Sequence, residues 1–92
     1  EFGMVTTVEI NLPIKANLVT ARTILKQIAS ESPYIDGRQT ALVVAKERLL
    51  DSGDIIVVLG VRCILKDART EKDFQSDFII AANKALRDKK IR

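Results

Sequence analysis

Between Val5 and Ile14 the chain alternates. Thr6, Val8, Ile10, Leu12 and Ile14 hold one parity and are apolar but for the threonine; Val5, Thr7, Glu9, Asn11 and Pro13 hold the other. A period of two predicts a strand with one buried face. Pro13 has no N–H to donate, so this strand is expected at a sheet edge, or to end there. After Asn17 the period changes. Leu18, Ala21, Leu25 and Ile28 recur at helical spacing, with Ile24 and Ala29 beside them and Arg22, Lys26 and Gln27 off the stripe. Asn17 is the expected N-cap, its side chain accepting from a first-turn amide. The helix is predicted to fail near Ser32-Pro33, because proline restricts the residue before it and cannot donate. Asp36-Gly37 closes a turn-rich connection.

Residues 39–48 read as a second strand, less cleanly, since apolar residues fall on both parities from Ala41 to Ala45; a short helix is the rival. Asp51-Ser52-Gly53-Asp54 supplies a reversal. Residues 55–65 give the strongest strand. Ile55, Val57, Leu59, Val61, Cys63 and Leu65 form a wholly apolar face, and Ile56, Val58, Gly60, Arg62 and Ile64 a mixed one. So apolar a strand belongs at the centre of its sheet. Thr70-Glu71-Lys72-Asp73 resembles a capping box. The helix after it places Phe74, Phe78, Ala81, Ala82, Ala85 and Leu86 on one side, with Ile80, Lys84, Arg87 and Ile91 on the polar side. Arg87, Lys89 and Lys90 suit the negative end of its dipole.

The predicted order is β-α-β-β-α. A right-handed crossover sets the third strand beside the first, and a hairpin sets the second beside the third. The fold class is therefore α+β: a ferredoxin-like sandwich with a three-stranded antiparallel sheet, order 1-3-2, and two helices on one face, lacking the usual final strand. If the helices cover the odd-numbered face of the third strand, its even-numbered face is left apolar and open. That face is expected to meet neighbouring protein. Residues 5–92 read as one domain. Glu1-Phe2-Gly3-Met4 reads as an expression scar, which makes residues 5–92 an expected excision from a larger protein.

Composition narrows the chemistry. The 92 residues are 47% hydrophobic and 29% charged, a globular balance, and a chain of this size buries about 64% of its surface without staples. There is no histidine, which removes His metal sites and His-based triads. The lone Cys63 permits neither an internal disulfide nor a Cys-only zinc site, and on the apolar parity it reads as a buried small hydrophobe. No tryptophan and few aromatics leave little for stacking bases. A net charge of +3, with positives interleaved among Asp and Glu, is mild for a nucleic-acid binder. No apolar run is long enough to span a membrane.

No catalytic constellation emerges. Glu47, Asp51, Asp54, Asp67, Glu71 and Asp73 fall at turns and helix starts, where capping and solvation account for them. Gly60 has no phosphate-loop pattern around it and is expected to mark a close contact or a bulge. Arg62 reads as a solvated or cross-strand charge, or as an interface contact because Ile56, Val58 and Ile64 share its face. The expected catalytic, cofactor-binding and metal-ligating residues are accordingly none, with no cofactor, nucleic acid or specific small molecule, and the chain is not expected to be an enzyme.

Taken together, Thr7-Val8-Glu9-Ile10-Asn11-Leu12, the Asn17-led helix, the Asp51–Asp54 turn, the strand with Val61-Arg62, and Ile79 to Leu86 followed by Ile91 resemble the C-terminal cytoplasmic α/β domain of the small-conductance mechanosensitive channel (MscS) family. The resemblance spans roughly residues 5–91. It implies a tension-gated ion channel of the inner membrane, a homoheptamer whose pore helices precede this domain. The domain would form part of a cytoplasmic cage, packing against identical subunits rather than catalysing. The family's domain continues into a Pro-containing strand beyond the position of Arg92. The alternative is a free-standing ferredoxin-like regulatory module that binds a small metabolite. An acyl-phosphate hydrolase would want an arginine-bearing anion loop where Pro13-Ile14-Lys15-Ala16-Asn17 stands, and an RNA binder would want aromatics on the sheet.

Overall fold

The computed structural model describes residues 4–38 and 40–91. Glu1-Phe2-Gly3, read above as part of a scar, lie outside the described residues, and Met4 is the first residue of the first strand. The elements follow as β1 (Met4–Pro13), α1 (Leu18–Glu31), β2 (Leu42–Leu49), β3 (Ile55–Leu65) and α2 (Glu71–Asp88), with a 3₁₀ turn at Ala68–Thr70. The sheet is antiparallel throughout, in the order β1-β3-β2. This is the three-stranded α+β, ferredoxin-like arrangement predicted from the periodicity.

The most apolar strand is central, and its odd-numbered face carries the core. Val57, Leu59, Val61, Cys63 and Leu65 pack with Val8, Ile10 and Leu12 of β1. From above they meet Ala21, Leu25 and Ala29 of α1 and Phe74, Phe78, Ala82 and Leu86 of α2. The small residues of α1 let its backbone approach the sheet. The two phenylalanines of α2 meet at 5.7 Å between ring centroids, tilted by 50°. Pro13 does end β1, an edge strand. Asn17 caps α1, its side chain accepting from the Thr20 amide at 3.1 Å, and the helix stops at Glu31, before Ser32-Pro33.

Four details depart from the pattern reading. First, β2 begins at Leu42 rather than at residue 39. The line it would have followed is taken by Ile35, which is buried and bridges Leu65, with the Asp36 amide donating to Ile64 and the Lys66 amide to Tyr34. Second, Thr70 makes no side-chain cap. It already belongs to the 3₁₀ turn, and its hydroxyl donates back to the Asp67 carbonyl at 2.7 Å, so Asp67 does the capping one turn earlier. Third, Ile91 leaves the polar side of α2. Lys90 adopts a left-handed conformation (φ 57°), its amide bonds the Arg87 carbonyl, and the Ile91 amide bonds Leu86. That is a Schellman ending, which folds Ile91 back onto the core. Fourth, Gly60 is neither a bulge nor a tight contact. β3 keeps unbroken register through it, and a Cβ there would meet only Thr7 Cγ2 at 3.6 Å and the Val44 carbonyl at 3.8 Å.

Candidate interaction surface

Strand alternation turns every second side chain of the sheet away from the helices. On β3 these are Ile56, Val58, Gly60, Arg62 and Ile64. Register then places Asn11 and Lys46 on either side of Val58, Glu9 and Val44 beside Gly60, and Thr7 and Leu42 beside Arg62. No helix covers this face, since the core formed with α1 and α2 draws on the opposite parity.

The uncovered face has two parts of different chemistry. Over its middle, Glu9 of β1 reaches across the central strand to β2. Its carboxylate lies 3.5 Å from Lys46 Nζ and 3.4 Å from Arg48 Nη2. Val58 lies beneath this polar cover and is 0% exposed, although no helix touches it. The remaining part is apolar and open. Val5, Leu42 and Val44 are each about half exposed, and Arg62 stands among them. Arg62 makes no ion pair among the described residues, so the placement opposite the helices is as read from the sequence, with the charge uncommitted.

A second surface lies on the helical side, where the end of α1 and the Pro33-Tyr34 corner meet α2. It is a groove of about 250 Å³, floored by Ile28, Phe74 and Phe78 and edged by Glu31, Tyr34 and Asp77. The charge on Asp77 is the chief reason the Tyr34 phenol titrates above its ordinary value, with burial next and Asp73 adding to it. Among the described residues no lysine or arginine lines the groove. The sequence reading missed this site because its parts come from three separate segments. Asp73 and Asp77, one helical turn apart, were its only local signal.

The other carboxylates singled out have local partners or lie in water. Arg69 grips Asp67 through Nε and Nη2 and holds its carboxyl down to about 2, and Arg38 does the same to Asp36. Asp54 accepts from Ser52 in the β2–β3 turn at 3.1 Å. Glu71 accepts from the buried hydroxyl of Thr6. Glu47 and Asp51 are exposed. Cys63 is buried in the sheet core, and burial pushes its thiol up to about 11. Among the described residues no group of three metal-ligating side chains comes together, and no helix is long and apolar enough to cross a membrane. The sequence matches no family model and no curated protein.

Proposed function

We propose that this chain is a cytoplasmic assembly domain of a tension-gated channel of the MscS type, contributing packing between identical subunits rather than catalysis. The observation that carries this reading is the uncovered sheet face. A domain of this size has enough helix to shield one side of its sheet, and here the other side keeps half-exposed Val5, Leu42 and Val44 around an unpaired Arg62. Such a face is suited to protein contact. The β-α-β-β-α order on which the resemblance was read is the order of elements in this chain. Membrane attachment and the pore belong, on this reading, to segments of the full-length protein outside this sequence.

The test uses the full-length gene. Its product should carry apolar stretches of about 20 residues upstream of Val5. In patches of membrane it should conduct when suction is applied. An upstream region encoding an unrelated soluble domain, or patches silent up to rupture, would end the channel reading.

A second reading is favoured by the groove at Tyr34. Its partly exposed Tyr34 ring and acidic edge suit a small organic cation, as a free-standing regulatory module would need. Thermal stabilisation by a panel of amines, absent in Asp77→Asn, would favour this reading over the first.

A further inference from the structure

The two surfaces are complementary to each other. The open sheet face carries Lys46, Arg48 and Arg62 against the single carboxylate Glu9, and its free charge is Arg62 with Leu42 and Val5 beside it. The groove is edged by Glu31 and Asp77 with Asp73 close by, offers the partly exposed Tyr34 ring over an apolar floor, and among the described residues is lined by no cation. The sheet face therefore presents a cation amid apolar side chains, and the groove presents carboxylates above an apolar floor. An arginine suits such a place, because its stem packs on rings while its planar head pairs with a carboxylate.

We propose that the Tyr34–Asp77 groove of one copy receives Arg62 and Leu42 from the open sheet face of a second copy. This rests on the reading of the chain as an assembly domain and names the contact by which it would assemble. The two surfaces lie on opposite sides of the helix–sheet sandwich, so a contact between them uses the sheet face of one copy and the groove of the other and leaves one of each free. The contact is head to tail, the kind that builds a ring when its rotation closes and an open array when it does not, and never a two-fold dimer. Like charges on the two sheet faces, and on the two grooves, disfavour the face-to-face alternatives.

Charge reversal tests this on the 92-residue chain. Arg62→Glu sets a carboxylate where the acidic groove would receive a cation, and Asp77→Arg sets a cation in the groove where Arg62 would dock. Both side chains are exposed, so both variants should fold, with circular dichroism as the control. Sedimentation of the wild type at rising concentration should reveal weak association that fades between about 0.1 M and about 1 M salt. Each variant alone should associate at least about tenfold more weakly, since like charges then face each other. An equimolar mixture of the two should recover association, because in each contact between unlike variants positions 62 and 77 again carry opposite charges. Wild type that stays monomeric, variants that associate as it does, or a mixture no better than its parts would each overturn the contact. The channel reading fails separately. A full-length protein that conducts under suction while these variants associate normally loses this contact and keeps that function. One that never conducts, with the mixture restored, does the reverse.

Discussion

Thr6 Oγ1 donates to Glu71 Oε2 at 3.0 Å, joining residues 65 apart in sequence. The same hydroxyl accepts from Gln75 Nε2 at 3.1 Å. Thr6 is the one buried polar residue among the described residues, so the polar position that interrupts the apolar parity of β1 is where the strand is pinned to the first turns of α2. Thr6→Val keeps the shape and removes the link. A net hydrogen bond contributes about 1 kcal/mol, and Glu71 and Gln75 are partly exposed and can turn to water. The variant should lose about 1–2 kcal/mol in urea unfolding. Coincident midpoints would mean that the pair does not hold the helix.

Burial on the uncovered face is uneven, and stability should follow it. Val58 is as inaccessible as Leu59, although only Leu59 faces the helices. Leu59→Ala should cost about 2–5 kcal/mol. Val58→Lys should cost less than that but more than a surface change, because its charge must rise past the exposed Asn11 and Lys46 to reach water. Val44→Lys and Lys84→Ala, both exposed, should stay within about 0.5 kcal/mol of wild type. If Val58→Lys unfolds at the wild-type urea concentration, the cover formed by Glu9, Lys46 and Arg48 is not a cover.

Three positions separate backbone handedness from crowding. Gly53 has φ 92° with open space where a Cβ would go, so Gly53→Ala should lose about 1–2 kcal/mol from the backbone alone. Lys90 bears a side chain in the left-handed region, and Lys90→Gly should gain about 1 kcal/mol. Gly60 needs neither freedom nor space, so Gly60→Ala should be neutral or stabilising by up to about 1 kcal/mol. Thermal melts that rank these three variants in any other order would contradict the assigned geometry.

Alkaline pH should expose Cys63. Its folded pKa is raised to about 11 from 9.0, so the native thiol keeps its proton where the unfolded one has lost it. Below that window both states are protonated and the contribution is complete. As pH rises from 9.0 towards about 11, the unfolded state is favoured and stability falls. Cys63→Ala should flatten that decline relative to wild type, whatever it does to stability at neutral pH. Parallel alkaline limbs in urea titrations at several pH values would show that the thiol does not contribute.

Where one segment decided its own structure, the sequence was enough. The alternation of β3 fixed its length and its place in the sheet, Asn17 marked the start of α1, and Pro33 its end. The parity of Arg62 was legible for the same reason. What could not be read depended on register or on chain reversal. Glu9 meets Lys46 and Arg48 across a strand that belongs to neither, which requires both ladders to be known at once. Ile91 looked solvent-facing because the helical wheel was carried past Lys90, where the helix reverses its hand. Thr70-Glu71-Lys72-Asp73 has the spelling of a cap, but a preceding 3₁₀ turn had already taken the threonine. The groove draws one edge from a loop and one from each helix, and no periodicity announces such a meeting.

The Thr6 link also fixes how the domain would bear a mechanical load. It sets the start of α2 beside the start of β1, and Lys89 and Lys90 lie with Pro13 and Lys15 at the far end, so the first strand and the last helix run side by side in the same direction. The chain therefore passes in at one end of the sandwich and out at the other. A pull on the two flanking segments drags β1 lengthwise along β3, against a ladder running from Met4–Leu65 to Pro13–Ile56. The rungs are strained together only while α2 stays docked. Because α2 leaves β3 beside Leu65, the rung partner of Met4, a helix that lets go passes the load to that end rung and opens the ladder from there.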